Sequence, residues 1–248
     1  MIFGISTYCL HDRPLKSALE TISAMTGLIE VMDEGLHHLE NAELLKEFPV
    51  TYSIHAPSRG TNLASLLEPI RRASVEVMAD CFRIAGDVGA PVVLHPGYFA
   101  WQEEQKKAER QLARSLTELH SHAAEYSVTF FVENMGNWDY FLLKSPHELP
   151  LIGNIPYALD VGHAHQNHCL AEFLQHPAGH YHLHDNDGTT DAHAAVGEGT
   201  IDFSAVMKVV RESGVDPVIE VGTLPGVLRS IERLNALSGI SETRVLRG

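Results

Sequence analysis

Cysteine is scarce in this chain. Cys9, Cys81 and Cys169 lie far apart and form no CxxC pair. That argues against a disulfide framework and against a thiolate zinc site, and it makes a reducing cytoplasm the expected location. No apolar run approaches the roughly 20 residues of a membrane span, so no membrane association is expected. The opening MIFGISTYCLHD has neither a basic cluster nor a cleavage pattern, which argues against secretion. Positive charge is short as well: 18 Lys and Arg stand against 32 Asp and Glu, a formal net charge of −14. Holding nucleic acid by phosphate neutralisation calls for a basic patch. The short basic groups Arg71-Arg72 and Lys106-Lys107 fall in long helical patterns, where a solvated outer face is the expected place. Extended DNA binding is therefore disfavoured. Bound divalent cations would offset part of the acidity.

What the chain does have is alternation. Short β-type runs occupy 2–7 (IFGIST), 28–33 (LIEVMD), 50–56 (VTYSIHA), 91–97 (PVVLHPG), 128–136 (VTFFVENMG), 156–164 (PYALDVGHA), 180–186 (HYHLHDN) and 217–222 (PVIEVG). Helical patterns lie between them, most clearly at 14–25, 63–88, 103–126, 203–213 and 224–237. Pro14 suits a first helical turn, and Asp202 reads as an N-cap. Gly27, Gly89 and Gly214 each sit where a C′ glycine would close a helix. Eight strands in 248 residues leave about 31 residues per unit, near the ~30 of one βα repeat. The expectation is an α/β fold, a single (β/α)8 TIM barrel over 1–248. Periodicity alone leaves an open doubly wound sheet as the alternative.

Chemistry favours the closed barrel. Active sites of such barrels form at the C-terminal strand ends. There the chain presents His55 (SIHAP), His95 (VLHPG), Glu133 (FVENMG), Asp160 and His163 (ALDVGHAH), His182 (YHLHDND) and Glu220 (VIEVG). Asp191 and His193 follow in the next loop. Any one strand-end histidine is more often a satisfied polar residue than a ligand. The joint pattern differs, because carboxylates inside apolar strands are costly to bury and repel one another unless cations or hydrogen bonds compensate. Imidazole and carboxylate without thiolate suit Zn, Mn, Fe, Co or Ni. In an open sheet the ends of strands three and eight would lie roughly 24 Å apart; closure brings them together. Along HYHLH, His180, His182 and His184 share one face. His182 is the expected ligand, His184 a substrate contact or a support for the ligands, and His180 structural. Asp185 and Asp187 either orient histidines or are loop polar groups. The GEG turn at 197–199 either offers amides to a phosphate or only turns the chain.

These motifs resemble the xylose isomerase-like, AP-endonuclease type 2 superfamily of (β/α)8 barrels, from the third strand to the eighth. Among its members the pattern is most similar to endonuclease IV, a trinuclear zinc phosphodiesterase of DNA repair. The segments HAP…TNLAS, HPG, ENMG, LDVGHAH, HLHDN, DAH…GEG and VIEVG carry the likeness. The resemblance implies that Glu133 bridges two metals. His55 and His95 complete the first, and Asp160, His182 and Glu220 the second. His163, Asp191 and His193 hold a third. The chain departs from the endonucleases after its third strand, where Ser58 and Arg59 stand in place of an aromatic. The loop between HLHDN and DAH is also shorter.

The leading functional expectation is a metal-dependent phosphodiester hydrolase using up to three zinc ions, with manganese as the other candidate metal. Its substrate would be a small phosphodiester rather than abasic DNA, and Arg59 would contact the phosphate. The alternative is a sugar or sugar phosphate isomerase or epimerase. It would use one metal at Glu133, Asp160, His182 and Glu220, with two carboxylates shuttling a proton. Glu133 and Glu220 are the expected catalytic residues. Tyr8, Tyr98, Trp101, Trp138 and Tyr140 either wall a sugar pocket or pack loops. Oligomeric state is not legible.

Overall fold

In the computed structural model, which describes residues 1–238, eight parallel strands close into one barrel in sequence order. They are β1 (Gly4–Ser6), β2 (Leu28–Met32), β3 (Thr51–His55), β4 (Val92–Leu94), β5 (Phe130–Glu133), β6 (Tyr157–Asp160), β7 (His180–Leu183) and β8 (Val218–Ile219). β8 pairs back onto β1 through Gly4–Val218 and Ile5–Ile219, which closes the ring. The expected (β/α)8 barrel is thus the observed fold, and the open-sheet alternative falls. The last ten residues of the expected domain, 239–248, lie outside the described residues.

Strand alternation divides the chain's apolar residues into two populations. Ile5, Ile29, Val31, Ile54, Val92, Leu94, Val132, Leu159, Leu183 and Ile219 point outward and join one large core with the surrounding helices. Their neighbours point into the barrel. There, Val93, Phe131 and Ala158 form a small separate apolar cluster. The rest of the interior is polar: Glu30, Ser53, His180 and His182 are all buried. Both faces of each strand are covered, as a parallel sheet requires.

The outer layer consists of α1 (Leu15–Ile22), α2 (Glu43–Lys46), α3 (Glu68–Val88), α4 (Gln105–Tyr126), α5 (Val161–Gln166), α6 (Leu170–Phe173), α7 (Phe203–Ser213) and α8 (Leu224–Ser238). The crossover from β5 to β6 uses a 3-10 helix at Pro146–Ile152 instead. Pro150 inside it has no N–H to donate, so an α-helical ladder cannot form. Ser145 and Glu148 cap its start reciprocally. Asp202 caps α7 as expected, accepting from the Ser204 N–H at 3.0 Å. Gly89 and Gly214 close α3 and α7 at φ +66° and +71°.

Several expectations need correction. α1 ends at Ile22 with Ser23 as its cap, so Gly27 caps nothing. Pro14 is the residue before the first helical one. α3 starts at Glu68 rather than at 63, with Pro69 in its first turn, where a missing N–H costs no helical hydrogen bond. Strand six stops at Asp160, and His163 stands on α5. Arg72 is solvated, but Arg71 is fully buried between α3 and α4. Its guanidinium contacts Glu68 at 2.8 Å, Glu118 at 3.0 Å and the Ser115 hydroxyl at 3.1 Å. Ser115 in turn donates to the Leu63 carbonyl at 2.7 Å. The periodicity was right about the helix; the basic pair straddles its boundary between inside and outside.

Replacing Arg71 with alanine removes a large buried side chain and one half of its ion pairs. A loss of about 3 kcal/mol is expected, the low end for one-sided removal, because Glu68 and Glu118 keep access to water. Arg72→Ala should stay within about 0.5 kcal/mol. Urea unfolding followed by circular dichroism measures both, and equal midpoints for the two variants would contradict this account.

Candidate metal centre

The final inward position of each ligand-bearing strand opens at one end of the barrel. His55, Glu133 and Asp160 are the last residues of β3, β5 and β6. His182 pairs in register with Asp160, and Glu220 follows β8 directly. His95 follows β4 directly, and α5 and the β7–α7 loop contribute His163, Asp191 and His193. The structure brings all nine predicted residues to this mouth. Among the described residues four donor groups have ligand atoms within 4.8 Å of one another; Glu30, His180 and His182 form one beneath the mouth, and three form at it. Those three are His55, His95 and Glu133; then Glu133, Asp160, His182 and Glu220; then His163, Asp191 and His193, which His184 joins. Glu133 belongs to two of them. Its Oε2 lies 2.9 Å from His95 Nε2 and 3.3 Å from His55 Nε2, while its Oε1 lies 2.8 Å from His182 Nδ1.

Backbone carbonyls decide which histidine nitrogen faces the mouth. The Nδ1–H of His55 donates to Ala56 O at 3.0 Å. That of His163 donates to Asn134 O at 2.9 Å, and that of His193 to Glu220 O at 2.8 Å. In the neutral ring each bond places the proton on Nδ1 and leaves the lone pair on Nε2. His163 and His193 both aim Nε2 at Asp191 Oδ2, 3.3 Å away.

Local sequence explains the placement of His163. Asp160 caps α5, accepting the His163 N–H at 2.7 Å. The carboxylate ends the strand, starts the helix, and sets His163 one turn later. Asn134 clamps β5 to β6: it accepts from the Asp160 N–H at 2.8 Å and donates to the Asp160 carbonyl at 3.0 Å. Gly162 is required because a Cβ there would lie 2.0 Å from the His184 ring. Gly97 of the HPG motif is likewise forced, at φ +97° and with its Cβ direction filled by Asn62.

His184 is fully buried and does not line the cleft. Its Nε2 sits 3.0 Å from both Asp160 oxygens, and its ring stacks on His193 at 4.0 Å. It therefore supports ligand-type residues instead of meeting a substrate. Asp185 accepts from the amides of Asn186, Gly197 and Ile201, so the GEG turn folds around a protein carboxylate. Asp187 accepts from Thr189 and Thr190 and shapes the loop locally. Arg59 lies at the rim, 87% exposed, with Nε 3.4 Å from Glu34. Tyr98 and Tyr140 each pack edge-on against Trp138, centroids 5.5 and 5.2 Å apart, and all three stand outside the cleft lining. Tyr8 does line it, edge-on to His193 at 5.1 Å. The cleft encloses about 790 Å³ and reaches His55, His95, Glu133, His163, Asp191 and Glu220.

Two residues of consequence were not picked out from sequence. Glu34 accepts from the Ser58 and Arg59 amides and pins the loop after β3. Glu30, in LIEVM, is buried beneath His182 with 2.9 Å between Oε1 and Nε2. It carries the same signal as the other strand carboxylates, an acid inside an apolar run.

Charge at the mouth is balanced by pairing. Burial alone would lower the His55 and His193 imidazoles. Glu133 beside His55, and Asp191 and Glu220 beside His193, instead push both up to about 9. Burial would raise the carboxyls of Glu133, Asp160 and Asp191, yet the facing histidines hold all three below the usual carboxylate range.

These directions set the pH dependence of the metal-free protein. A raised imidazole stabilises fully below about pH 6.5 and stops doing so as pH rises through about 9. The lowered carboxylates stabilise above about pH 4 and fail as acid protonates them. The melting temperature in chelator is expected to peak between about pH 5 and 6.5 and to fall steadily toward pH 9.5. A curve flat from pH 6 to 9.5 would show that these pairs do not stabilise the fold. Gly162→Ala should lower the same melting temperature by driving into His184, at about 1–3 kcal/mol.

Among the described residues no helix is long and apolar enough to cross a membrane. The chain is 31% identical over 231 residues to the uncharacterized protein MJ1614 of Methanocaldococcus jannaschii, covering 89% of this chain and 92% of that one. A crystal structure of a D-tagatose 3-epimerase-like protein superposes with a TM-score of 0.89 at 30% identity, covering 97% of this chain and 98% of the other. A zinc-bound IolI protein shares the fold, with a TM-score of 0.80 at 18% identity over 98% of this chain and all of that one. A family model described as the xylose isomerase-like TIM barrel matches residues 30–237, and the chain belongs to that family.

Proposed function

We propose that this protein is a divalent-metal-dependent epimerase or isomerase of a sugar or sugar phosphate. The observation that carries this reading is the set of Glu133, Asp160, His182 and Glu220, in which Glu133 and Glu220 also face the cleft. The set suits a cation. Its three carboxylates are buried side by side, and Glu220 Oε1 is buried with no hydrogen-bond partner. Such a group is costly without a positive partner. The donors are imidazole and carboxylate without thiolate, a set that zinc or manganese accepts. When bound, the cation supplies Lewis-acid polarisation of the substrate's carbonyl and hydroxyl oxygens.

The protein's own groups then do the proton work. Glu133 and Glu220 approach the cleft from β5 and from the end of β8. One carboxylate takes the proton from the carbon beside the carbonyl, and the other returns one. Asp160 stays oriented by His184 and by the α5 amide of His163. The similarity to a D-tagatose 3-epimerase-like protein supports a sugar substrate. So does the cleft, whose size suits a small molecule. The acidic chain offers little to duplex DNA.

This shifts the leading expectation. The sequence motifs put phosphodiester hydrolysis first, whereas the similar solved structure is called epimerase-like. A specific observation keeps hydrolysis as the second reading: the two flanking donor sets, built on His55 and His95 and on His163, Asp191 and His193. A single-metal isomerase has no need of either.

Deuterium incorporation separates the two. Metal-loaded protein, incubated in D2O with a panel of ketoses and ketose phosphates, should place deuterium beside the carbonyl of at least one substrate. Glu220→Gln should slow that exchange by about 10²- to 10⁴-fold. No exchange on any substrate, together with cleavage of bis(p-nitrophenyl) phosphate, would overturn the isomerase reading. Metal content gives a second check. The isomerase requires one equivalent per chain, and replacing His163 and His193 together by alanine should leave exchange within about tenfold. Three equivalents, and loss of phosphodiester cleavage in that double variant, would favour the hydrolase.

A further inference from the structure

We propose that Glu30 is a positioning residue that fixes the ring orientation and tautomer of His182. The inference rests on the reading of His182 as a metal ligand. Glu30 projects from the middle of β2 across the barrel interior and is fully buried. Each of its oxygens lies against an imidazole, while Glu30 Oε1, His182 Nε2 and His180 Nε2 are buried without an aligned hydrogen bond. Oε1 lies 2.9 Å from His182 Nε2. Oε2 lies 2.9 Å from His180 Nε2 and accepts the Ser53 hydroxyl at 2.9 Å.

His182 is the odd member of the histidine set. His55, His163 and His193 lean Nδ1 on backbone carbonyls and present Nε2. His182 does the reverse. Its Nδ1 faces Glu133 at 2.8 Å, Glu220 at 3.7 Å and Asp160 at 3.9 Å, and its Nε2 points down into the barrel. That Nε2 has no hydrogen-bond partner on the backbone, and the carboxylate in contact with it is Glu30. When a cation takes the place of the hydrogen bond between Nδ1 and Glu133, a carboxylate 2.9 Å from Nε2 draws the proton there and makes Nδ1 the stronger donor. The apolar cluster of Val93, Phe131 and Ala158 shows that this interior can also be filled without charge. The buried carboxylate thus stands where a histidine needs an acceptor. His180, expected to be structural, stacks on Phe131 at 5.6 Å, with its Nε2 2.9 Å from the second oxygen of Glu30, which the Ser53 hydroxyl already satisfies.

The test compares Glu30→Gln with His180→Phe, by zinc competition against a chromophoric chelator and by two-bond 1H–15N spectra of the histidine rings. Wild-type zinc-loaded protein should show the His182 proton on Nε2. Glu30→Gln should weaken zinc binding by about 10- to 100-fold and change the His182 pattern. His180→Phe keeps the Glu30–His182 contact and should stay within about threefold. Should Glu30→Gln fail to fold, Glu30→Asp, too short to span the gap, is expected to show the same weakening. Unchanged affinity and an unchanged His182 pattern in the Glu30 variant would overturn the inference, as would equal losses in both variants, which mark a general packing role. Wild-type protein that binds no divalent ion would instead overturn the metal reading itself, and this inference with it.

Discussion

Negative charge converging on one end of a closed barrel is the constraint on which the site depends. Glu133, Asp160, Asp191 and Glu220 meet there, and three of the four are buried. Each is faced by histidine. Without compensation these carboxylates would repel one another and resist burial. The protein answers with imidazoles at contact distance, and it aims those imidazoles with bonds that lie outside the donor sets. Carbonyls of Ala56, Asn134 and Glu220 hold three rings, and Glu30 contacts a fourth. The arrangement is therefore two layers deep.

The barrel supplies this depth through simple parity. Inward positions two residues apart lie one above the other, so His180 sits below His182, Ser53 below His55, and Phe131 below Glu133. The upper residues open to the cleft and the lower ones support them. The lower layer mixes apolar Phe131 with polar Ser53 and His180, and Glu30 joins the polar side beneath His182. A barrel interior is ordinarily packed with branched apolar side chains. Here the departure from that rule coincides with the candidate centre.

Membership in the xylose isomerase-like family is secure, yet the family's barrel hosts more than one chemistry. The four-residue set around Glu133 and Glu220 suits proton transfer on a sugar, and the similarity to an epimerase-like structure points the same way. The additional sets on either side are the feature that a sugar isomerase does not explain. The cleft at the mouth encloses about 790 Å³, a volume that suits a small molecule.

Much of this was legible from the residues alone. Alternating strand and helix patterns determined a parallel α/β fold of eight units, and the ligand-type residues at the strand ends favoured closing it into a barrel. Acids and imidazoles at the ends of apolar strands marked the mouth, because burying them there without purpose is costly. Elsewhere the sequence fell short for physical reasons. His163 belongs to a helix that Asp160 caps, and a six-residue helix leaves too little periodicity to read. Arg71 looked solvated because helix periodicity does not say how closely α4 approaches. Glu30 displayed the right signal, but its meaning requires the contact across the barrel with His182. One-dimensional pattern thus set which residues face inward and at which end. Only the closed structure decided which of them touch, since contacts between β2 and β7 arise from ring closure and leave no spacing in the chain.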